Sequence, residues 1–247
     1  METKKILILG AGSAIARAAA NAFAADGHSL YLAGRDSLEL SKIASDIAIR
    51  HQTSVQYGVF DAEAFALHPQ FLKQAIAAFG GLDGILLAFG DTGNHNLALV
   101  DFEEAHRIIK CNFTGACSIL THCSNYLAEQ KKGFIIAISS VAGDRGRQSN
   151  YIYGASKGAL SLFLQGLRNR LFAYGVRVIT IKPGFVDTAM TFGKPGLFLV
   201  ASPKAVGEKI VATLNSKRDV VYIPGFWKYI MKITTKIPES IFKKMKL

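Results

Sequence analysis

The apolar positions of this chain fall into short unbroken runs that end at glycine or a polar residue, separated by longer stretches of helical periodicity. Residues 6–9, Ile-Leu-Ile-Leu, stop at Gly10 and read as a buried strand. Residues 14–25 are alanine-rich and predict a helix. The alternation then repeats. Strands are expected over 28–33, 54–60, 84–89, 133–139, 176–182 and 220–223. Helices are expected over 37–50, 64–79, 102–129, 153–174 and 203–214. Strands apolar on both faces, each followed by a helix, predict one α/β fold: a doubly wound sheet of about seven parallel strands covered by helices on both sides. No repeat, linker or low-complexity tract divides the chain. Residues 1–225 therefore read as a single domain, with 226–247 a basic amphipathic tail belonging to it.

Composition agrees with that picture. The 247 residues are 50% hydrophobic and 19% charged, which excludes wholesale disorder. No apolar run approaches the roughly 18–20 residues of a membrane span. Lys4 and Lys5, the apolar run and alanines 18–20 imitate a secretory leader. Gly10 and Gly12 interrupt that run, however, and Arg17 precedes any cleavage site, so strand, turn and helix explain the segment better. Three cysteines, Cys111, Cys117 and Cys123, are too few and odd in number for a disulfide scaffold, and fit a reducing, cytoplasmic setting. Spaced by six, they turn about 600° per step on a helix and share no face, so no metal site is expected and they read as core. The histidines lack ligand spacing; His95 and His106 read as solvated, with a place at the pocket the alternative. Charge is uneven: residues 1–123 carry 9 bases and 12 acids, residues 131–247 carry 20 and 5. A basic half of this kind suits nucleic acid, an anionic membrane surface or a phosphorylated substrate, or is simply a solvated face.

Candidate chemistry begins at Gly10-Ala11-Gly12-Ser13-Ala14-Ile15, between the first strand and first helix. A tight turn there aims backbone N–H groups and a helix N-terminus at phosphate. A purely structural turn is the alternative. After the second strand come Gly34 and then Arg35, where an acid would favour NAD. A guanidinium can pair with a 2′-phosphate, which points to NADP(H) ahead of NAD(H), although Asp36 is adjacent. Asp61, after the third strand, falls where an adenine should sit; otherwise it caps a loop. Tyr153 and Lys157 are four apart and share a helix face, so the cation should favour phenolate and lower the Tyr pKa. Ser140, thirteen residues earlier, can offer a hydroxyl at a strand end. YxxxK alone is a common accident, but together with Ser140, the strand order and the glycine turn it is not.

With these motifs in place the chain resembles the short-chain dehydrogenase/reductase family over residues 4–225. Residues 138–143, Ile-Ser-Ser-Val-Ala-Gly, are similar to its serine segment, and Tyr153 and Lys157 to its YxxxK pair. Asn112 matches its catalytic Asn, and residues 182–188, Lys-Pro-Gly-Phe-Val-Asp-Thr, its Pro-Gly segment. The resemblance implies a Rossmann-like fold and carbonyl reduction. Tyr153 would be the general acid, Ser140 would polarise the carbonyl, Lys157 would tune Tyr153 and bind ribose, and Asn112 would hold a relay water. It also implies cofactor contacts at Ala88, Gly90, Pro183, Gly184, Val186 and Thr188, and a homodimer or homotetramer. Two departures stand out. Ala14 and Ala16 replace glycines of the first motif, which bears on cofactor affinity, and residues 87–90, Leu-Ala-Phe-Gly, replace Asn-Asn-Ala-Gly.

Arg145 and Arg147, between Ser140 and Tyr153, are candidates to hold a substrate phosphate; a solvated loop with an internal Asp–Arg pair is the alternative. In the tail, Lys228, Lys232 and Lys236 form one helical stripe, Lys243, Lys244 and Lys246 follow, and Glu239 is the one acid. Aromatic and aliphatic residues, ending at Leu247, fill the remainder, and Pro238 should divide the tail. This describes either an interfacial anchor at the inner membrane face or a helix packed on the body or a second subunit. Nucleic acid is not expected, because no recognition motif accompanies the charge. The Ala-Phe-Gly turn, the arginine loop and the tail resemble the decaprenylphosphoryl-2-keto-ribose reductase branch, implying a keto-sugar on a polyprenyl phosphate. A soluble reductase of 3-oxoacyl thioesters or small ketones and a non-catalytic NADP-binding scaffold are the other expectations.

Overall fold

The computed structural model describes residues 2–191, 193 and 199–245. Lys246 and Leu247 of the tail lie outside the described residues. Seven parallel strands form one sheet: β1 (Lys5–Leu9), β2 (Ser29–Gly34), β3 (Val55–Val59), β4 (Gly84–Leu87), β5 (Phe134–Ile138), β6 (Arg177–Pro183) and β7 (Val220–Ile223). Their order is β3-β2-β1-β4-β5-β6-β7, so the sheet grows outward in both directions from β1 and β4. Such a reversal leaves a crevice at the carboxyl ends of the two strands that flank it. The predicted doubly wound α/β architecture is the one observed.

Among the described residues ten helices connect and cover the strands: α1 (Ala14–Ala25), α2 (Ser37–His51), α3 (His68–Phe79), α4 (His95–Ala98), α5 (Phe102–Ile109), α6 (Gly115–Gln130), α7 (Tyr151–Phe172), α8 (Pro203–Ala212), α9 (Trp227–Thr234) and α10 (Glu239–Phe242). The central strands are buried on both faces, with Ile6 to Leu9 and Ile85 to Leu87 fully inaccessible. One core layer packs Leu7, Leu87 and Ile135 on α3, α6 and α7, and the other packs Ile6, Leu86 and Ile179 on α1, α2 and α8. The edge strands are different. Tyr57 and Val59 of β3 and Val220 of β7 are exposed, because each edge lacks a second neighbour.

Three helices depart from expectation. The helix expected over 64–79 opens as a 3-10 turn, Phe65–Leu67, before α3. The long helix expected over 102–129 is interrupted by a π turn, Lys110–Thr114. There the Asn112 side chain donates to the Ile108 carbonyl at 2.8 Å. Such insertion of a polar side chain into the helical ladder locally loosens the winding. α7 begins two residues early, at Tyr151, and ends at Phe172.

The tail packs on the body. Trp227, Met231 and Phe242 are buried while the lysines stay exposed. Arg145 is its clasp. One guanidinium nitrogen donates to the carbonyls of Thr234, Thr235 and Ile237 at 3.0, 3.1 and 2.6 Å. The other meets the Glu239 carboxylate at 2.9 Å, and the group lies 3.8 Å over the Phe242 ring. The guanidinium expected at a substrate phosphate is taken up by the C-terminal carbonyls instead, which is a correction for Arg145. Among the described residues no helix is long and apolar enough to cross a membrane. Arg145→Ala is expected to lower stability by about 2 kcal/mol, since hydrogen bonds to charged groups carry that order of energy. Amide exchange in α9 and α10 should rise while exchange in the central strands stays slow.

Candidate active site

Every feature of the groove follows from chain ends at the carboxyl edge of the sheet. β1 ends at Leu9, and Gly10 turns with φ +87°, a left-handed conformation open to glycine. A Cβ at Gly10 would lie 2.6 Å from the Phe89 backbone nitrogen. The N–H groups of Gly10 and Ala11 both donate to the Ala33 carbonyl, fixing the turn to β2. Ser13 caps α1 by accepting from the Ala16 N–H at 3.2 Å. Ala14 and Ala16 are ordinary helical residues, neither at positive φ, and the Ala16 methyl is fully buried in the core. Neither alanine strains the turn: Ala16 fills core space, and Ala14 is exposed on the groove wall.

Two cavities share Gly12, Ser13, Ala88, Phe89 and Gly90 and together form one long groove. The first, about 480 Å³, is lined at its far end by Arg35, Asp36, Glu39, Leu40 and Asp61. Arg35 is exposed and forms no ion pair among the described residues. Glu39 pairs instead with Arg17, whose Nε also donates to the Gly12 carbonyl at 3.2 Å. Asp61 lines the groove and also caps its own loop, accepting from the Glu63 N–H at 2.9 Å.

The second cavity, about 450 Å³, contains Ile15, Ser140, Tyr153, Lys157, Pro183, Gly184, Val186 and Thr188. Three of the four expected catalytic residues thus share one wall. The fourth, Asn112, is 1% exposed and stands behind Gly90. Its amide donates to the Asp91 carbonyl at 2.6 Å and its oxygen accepts from the Asp91 N–H at 3.1 Å. A Cβ at Gly90 would stand 2.8 Å from both Asn112 Oδ1 and Lys157 Nζ, so only glycine admits this approach. The two groups are therefore neighbours across one backbone.

Ser140 opens a 3-10 turn and accepts from the Ala142 N–H at 3.1 Å. That turn packs directly on α7: a Cβ at Gly143 would reach within 2.6 Å of the Gly158 nitrogen. Close packing brings Ser140 within hydrogen-bond reach of the Tyr153 phenol. Ser139 fixes the same helix through the Lys157 carbonyl and the Ser161 hydroxyl, at 2.9 and 2.8 Å.

Electrostatics correct the expectation for Tyr153. Burial pushes its phenol up to about 12, and the Ser140 hydrogen bond only partly offsets this. Lys157 does not pull the value down. Its ammonium lies 5.9 Å from the centre of the Tyr153 ring and donates to the Ile138 carbonyl at 3.2 Å. Burial lowers Lys157 to about 8. In both cases desolvation of the charged form outweighs any neighbour.

Phe89, which the sequence marks as a departure in the turn after β4, is joined at the site by residues that gave no warning in the sequence. Phe89 stacks toward Phe60, with centroids 5.7 Å apart, and forms part of the groove wall. Asp91 accepts from Arg107 at 2.6 Å, and Arg107 also binds Glu104, tying the loop after β4 to α5. Burial pushes the Asp91 carboxyl up, but the Gly93 N–H and Arg107 prevail and hold it below its ordinary value. Only the i,i+3 spacing of Glu104 and Arg107 was visible beforehand. Cys111 lines the groove and Cys123 is core. His95 meets the Gln148 carbonyl at 2.9 Å and His106 stacks on Phe102; neither lines the groove. Arg147 is half-buried, and its Nε has no hydrogen-bond partner.

A doubly wound sheet with a phosphate-type turn at β1 and a Ser–Tyr–Lys wall at β5 and α7 defines a dinucleotide-dependent dehydrogenase architecture. The family model described as short chain dehydrogenase matches residues 4–194, and the chain belongs to that family. An uncharacterized oxidoreductase of Mycobacterium tuberculosis is 30% identical over 240 residues, 97% of this chain and 96% of its own. Another from Streptomyces coelicolor is 32% identical over 247 residues, covering 98% and 96%. Among solved structures, an alcohol dehydrogenase from Thermococcus sibiricus, complexed with 5-hydroxy-NADP, superposes with TM-score 0.80 at 25% identity, covering 90% of this chain and 96% of that one. A short chain dehydrogenase from Burkholderia cenocepacia, in complex with NADP, has TM-score 0.84 at 20% identity, covering 98% and 97%, a likeness of fold.

Gly90→Ala is expected to lower turnover by at least about tenfold, the cost of displacing a well-oriented catalytic group. Far-ultraviolet circular dichroism should stay unchanged, because the clash is with two side-chain tips rather than with the core.

Proposed function

We propose that this NAD(P)-dependent oxidoreductase is an NADPH-dependent carbonyl reductase. The observation that carries the reading is the convergence of Ser140, Tyr153 and Lys157 on one wall of the groove, with Asn112 behind Gly90. The groove fits a dinucleotide. Its glycine turn carries no side chain at Gly10, where a Cβ would strike the Phe89 backbone, and Arg35, which forms no ion pair among the described residues, stands at its far end. Arg35 would hold a 2′-phosphate, Gly12 and Ser13 the pyrophosphate, and Lys157 the nicotinamide ribose. The NADP-type ligands named for two solved neighbours support the same choice. When bound, the nicotinamide supplies the hydride for the carbonyl carbon.

The chain's own residues handle the proton. Tyr153 is a phenol at neutral pH, held there by burial, and so can give its proton to the developing alkoxide oxygen. Ser140 donates to the same oxygen. Lys157, charged below pH 8, would favour the phenolate left behind, and Asn112 would orient a water that returns the proton. Of the two loop cations, Arg147 alone remains for a phosphate-bearing ketone, including a lipid-linked keto-sugar, because Arg145 clasps the tail. Small ketones and 3-oxoacyl thioesters use the same wall without it.

Tyr153→Phe is expected to cut NADPH-dependent ketone reduction by at least about 100-fold while NADPH still quenches protein fluorescence. Arg35→Ala should weaken NADPH binding about tenfold and leave NADH binding unchanged. Loss of neither would overturn the reading. The pH profile of kcat/KM provides a separate check, since it reports groups of the free enzyme. With Lys157 lowered to about 8 and Tyr153 raised to about 12, reduction should be flat near neutrality and fall as pH rises through about 8.

A further inference from the structure

The tail turns one face to the body and another outward. α9 leaves the carboxyl end of β7, at the edge of the sheet where the groove opens. Trp227 and Met231, 2% and 3% exposed, look inward. The Trp227 indole occupies the space above Gly184, where a Cβ would lie 1.9 Å from Nε1, and meets the Phe185 ring edge-on at 5.5 Å. On the opposite side of the helix, Tyr229 and Ile233 are 68% and 70% exposed. Lys228 and Lys232 flank them on the next ridge, and Lys236 continues it. α10 repeats the arrangement: Phe242 is buried, Ile241 is exposed, and Lys243 and Lys244 project into solvent.

Among the described residues none of these five lysines forms an ion pair. The one acid of the tail, Glu239, is held by Arg145. The surface is therefore positive without internal compensation, and it interleaves large apolar side chains with ammonium groups. We propose that this outer face of the tail docks on an anionic lipid surface, placing the mouth of the groove beside that surface. Amphipathic helices with lysines beside aromatic and aliphatic side chains seat their apolar residues at the headgroup boundary, and each lysine there adds about fivefold to binding. A second copy of the chain fits less well. An isologous contact would bring five uncompensated cations against their own images, and protein interface cores are depleted in lysine. The rim of the groove adds apolar surface at the same sheet edge: Met190 lines the groove, and Leu199 and Val200 precede Ala201, which bridges to Val186. All three are exposed.

The proposal is independent of turnover, so it stands or falls separately from the reductase reading. Flotation of the full chain with phosphatidylcholine vesicles, with and without phosphatidylglycerol, tests it. The expected result is partition onto the anionic vesicles alone, weakened by high salt. Replacement of the three ridge lysines, K228E, K232E and K236E together, should lower that partition by about 100-fold. NADPH affinity of the variant, measured by fluorescence, confirms that the body is intact, since these side chains lie outside the groove. Equal partition onto neutral vesicles, or no partition at all, would overturn the proposal. So would sedimentation showing that the variant separates a dimer into monomers, because a second copy would then cover the face.

Discussion

Asn112 ties two backbones together: the π turn joining α5 to α6 and the loop that follows β4. Its carboxamide donates to Ile108 and Asp91 and accepts from Asp91, so a fully buried amide keeps all three contacts. Leaving such a group unpaired costs about 1–3 kcal/mol, which makes the arrangement all-or-none. The π turn is the price of aiming it, since a regular α-helix would point the residue elsewhere. Gly90 is drawn against Asn112 by the same bonds, and Lys157 then closes from the other side. The wall of Ser140, Tyr153 and Lys157 is thus approached from the β4 loop. Arg107 secures that loop from above through Asp91 and Glu104.

Charge and burial pull in opposite directions at this wall. A lysine four residues from a tyrosine on a helix suggests direct stabilisation of phenolate. Here Lys157 instead bonds the Ile138 carbonyl, and the two side chains meet through the ring face. Desolvation then favours the neutral form of each: phenol for Tyr153 and amine for Lys157. A neutral phenol suits proton donation, so the direction found for Tyr153 fits the proposed reduction even though it reverses the sequence expectation. Lys157 at about 8 keeps its charge at neutral pH by a small margin only, which makes it the group most sensitive to what enters the groove.

The number of strands, their alternation with helices and the glycine turn were legible because each rests on local pattern: apolar runs of four or five residues, and glycines where backbone must turn. Ser140, Tyr153 and Lys157 were legible through motif spacing, and Asn112 through the family resemblance. The π turn was not, because Lys110 to Thr114 carries no helix-breaking residue; the Asn112 side chain that enters the ladder at Ile108 is also held by Asp91, twenty-one residues away. The same is true of Arg145. Its position between Ser140 and Tyr153 suggested a substrate contact, but its partners lie about ninety residues on, in a segment whose approach depends on Trp227 packing under Gly184. Periodicity did divide the tail at Pro238. Which of its faces turned inward depended on the body it met.

Asp144 and Arg145 show why the loop between Ser140 and Tyr153 can be both long and ordered. They are adjacent and reach in different directions. Asp144 is 7% exposed and accepts from Lys182 at the end of β6 and from the Tyr222 phenol on β7. Lys182 in turn lies 5.6 Å from the Tyr222 ring centre, so the buried carboxylate has a cation and a hydroxyl, as a buried charge requires. Arg145 reaches across to the carbonyls that end α9. One dipeptide therefore joins β6, β7 and the tail to the segment that carries Ser140. Ordering a loop of this size costs roughly 1–2 kcal/mol per residue in backbone entropy, more than the Ser140 cap alone can offset. The tail supplies the remaining contacts. Whatever rests against its outer face is thus one guanidinium away from the loop that positions Ser140.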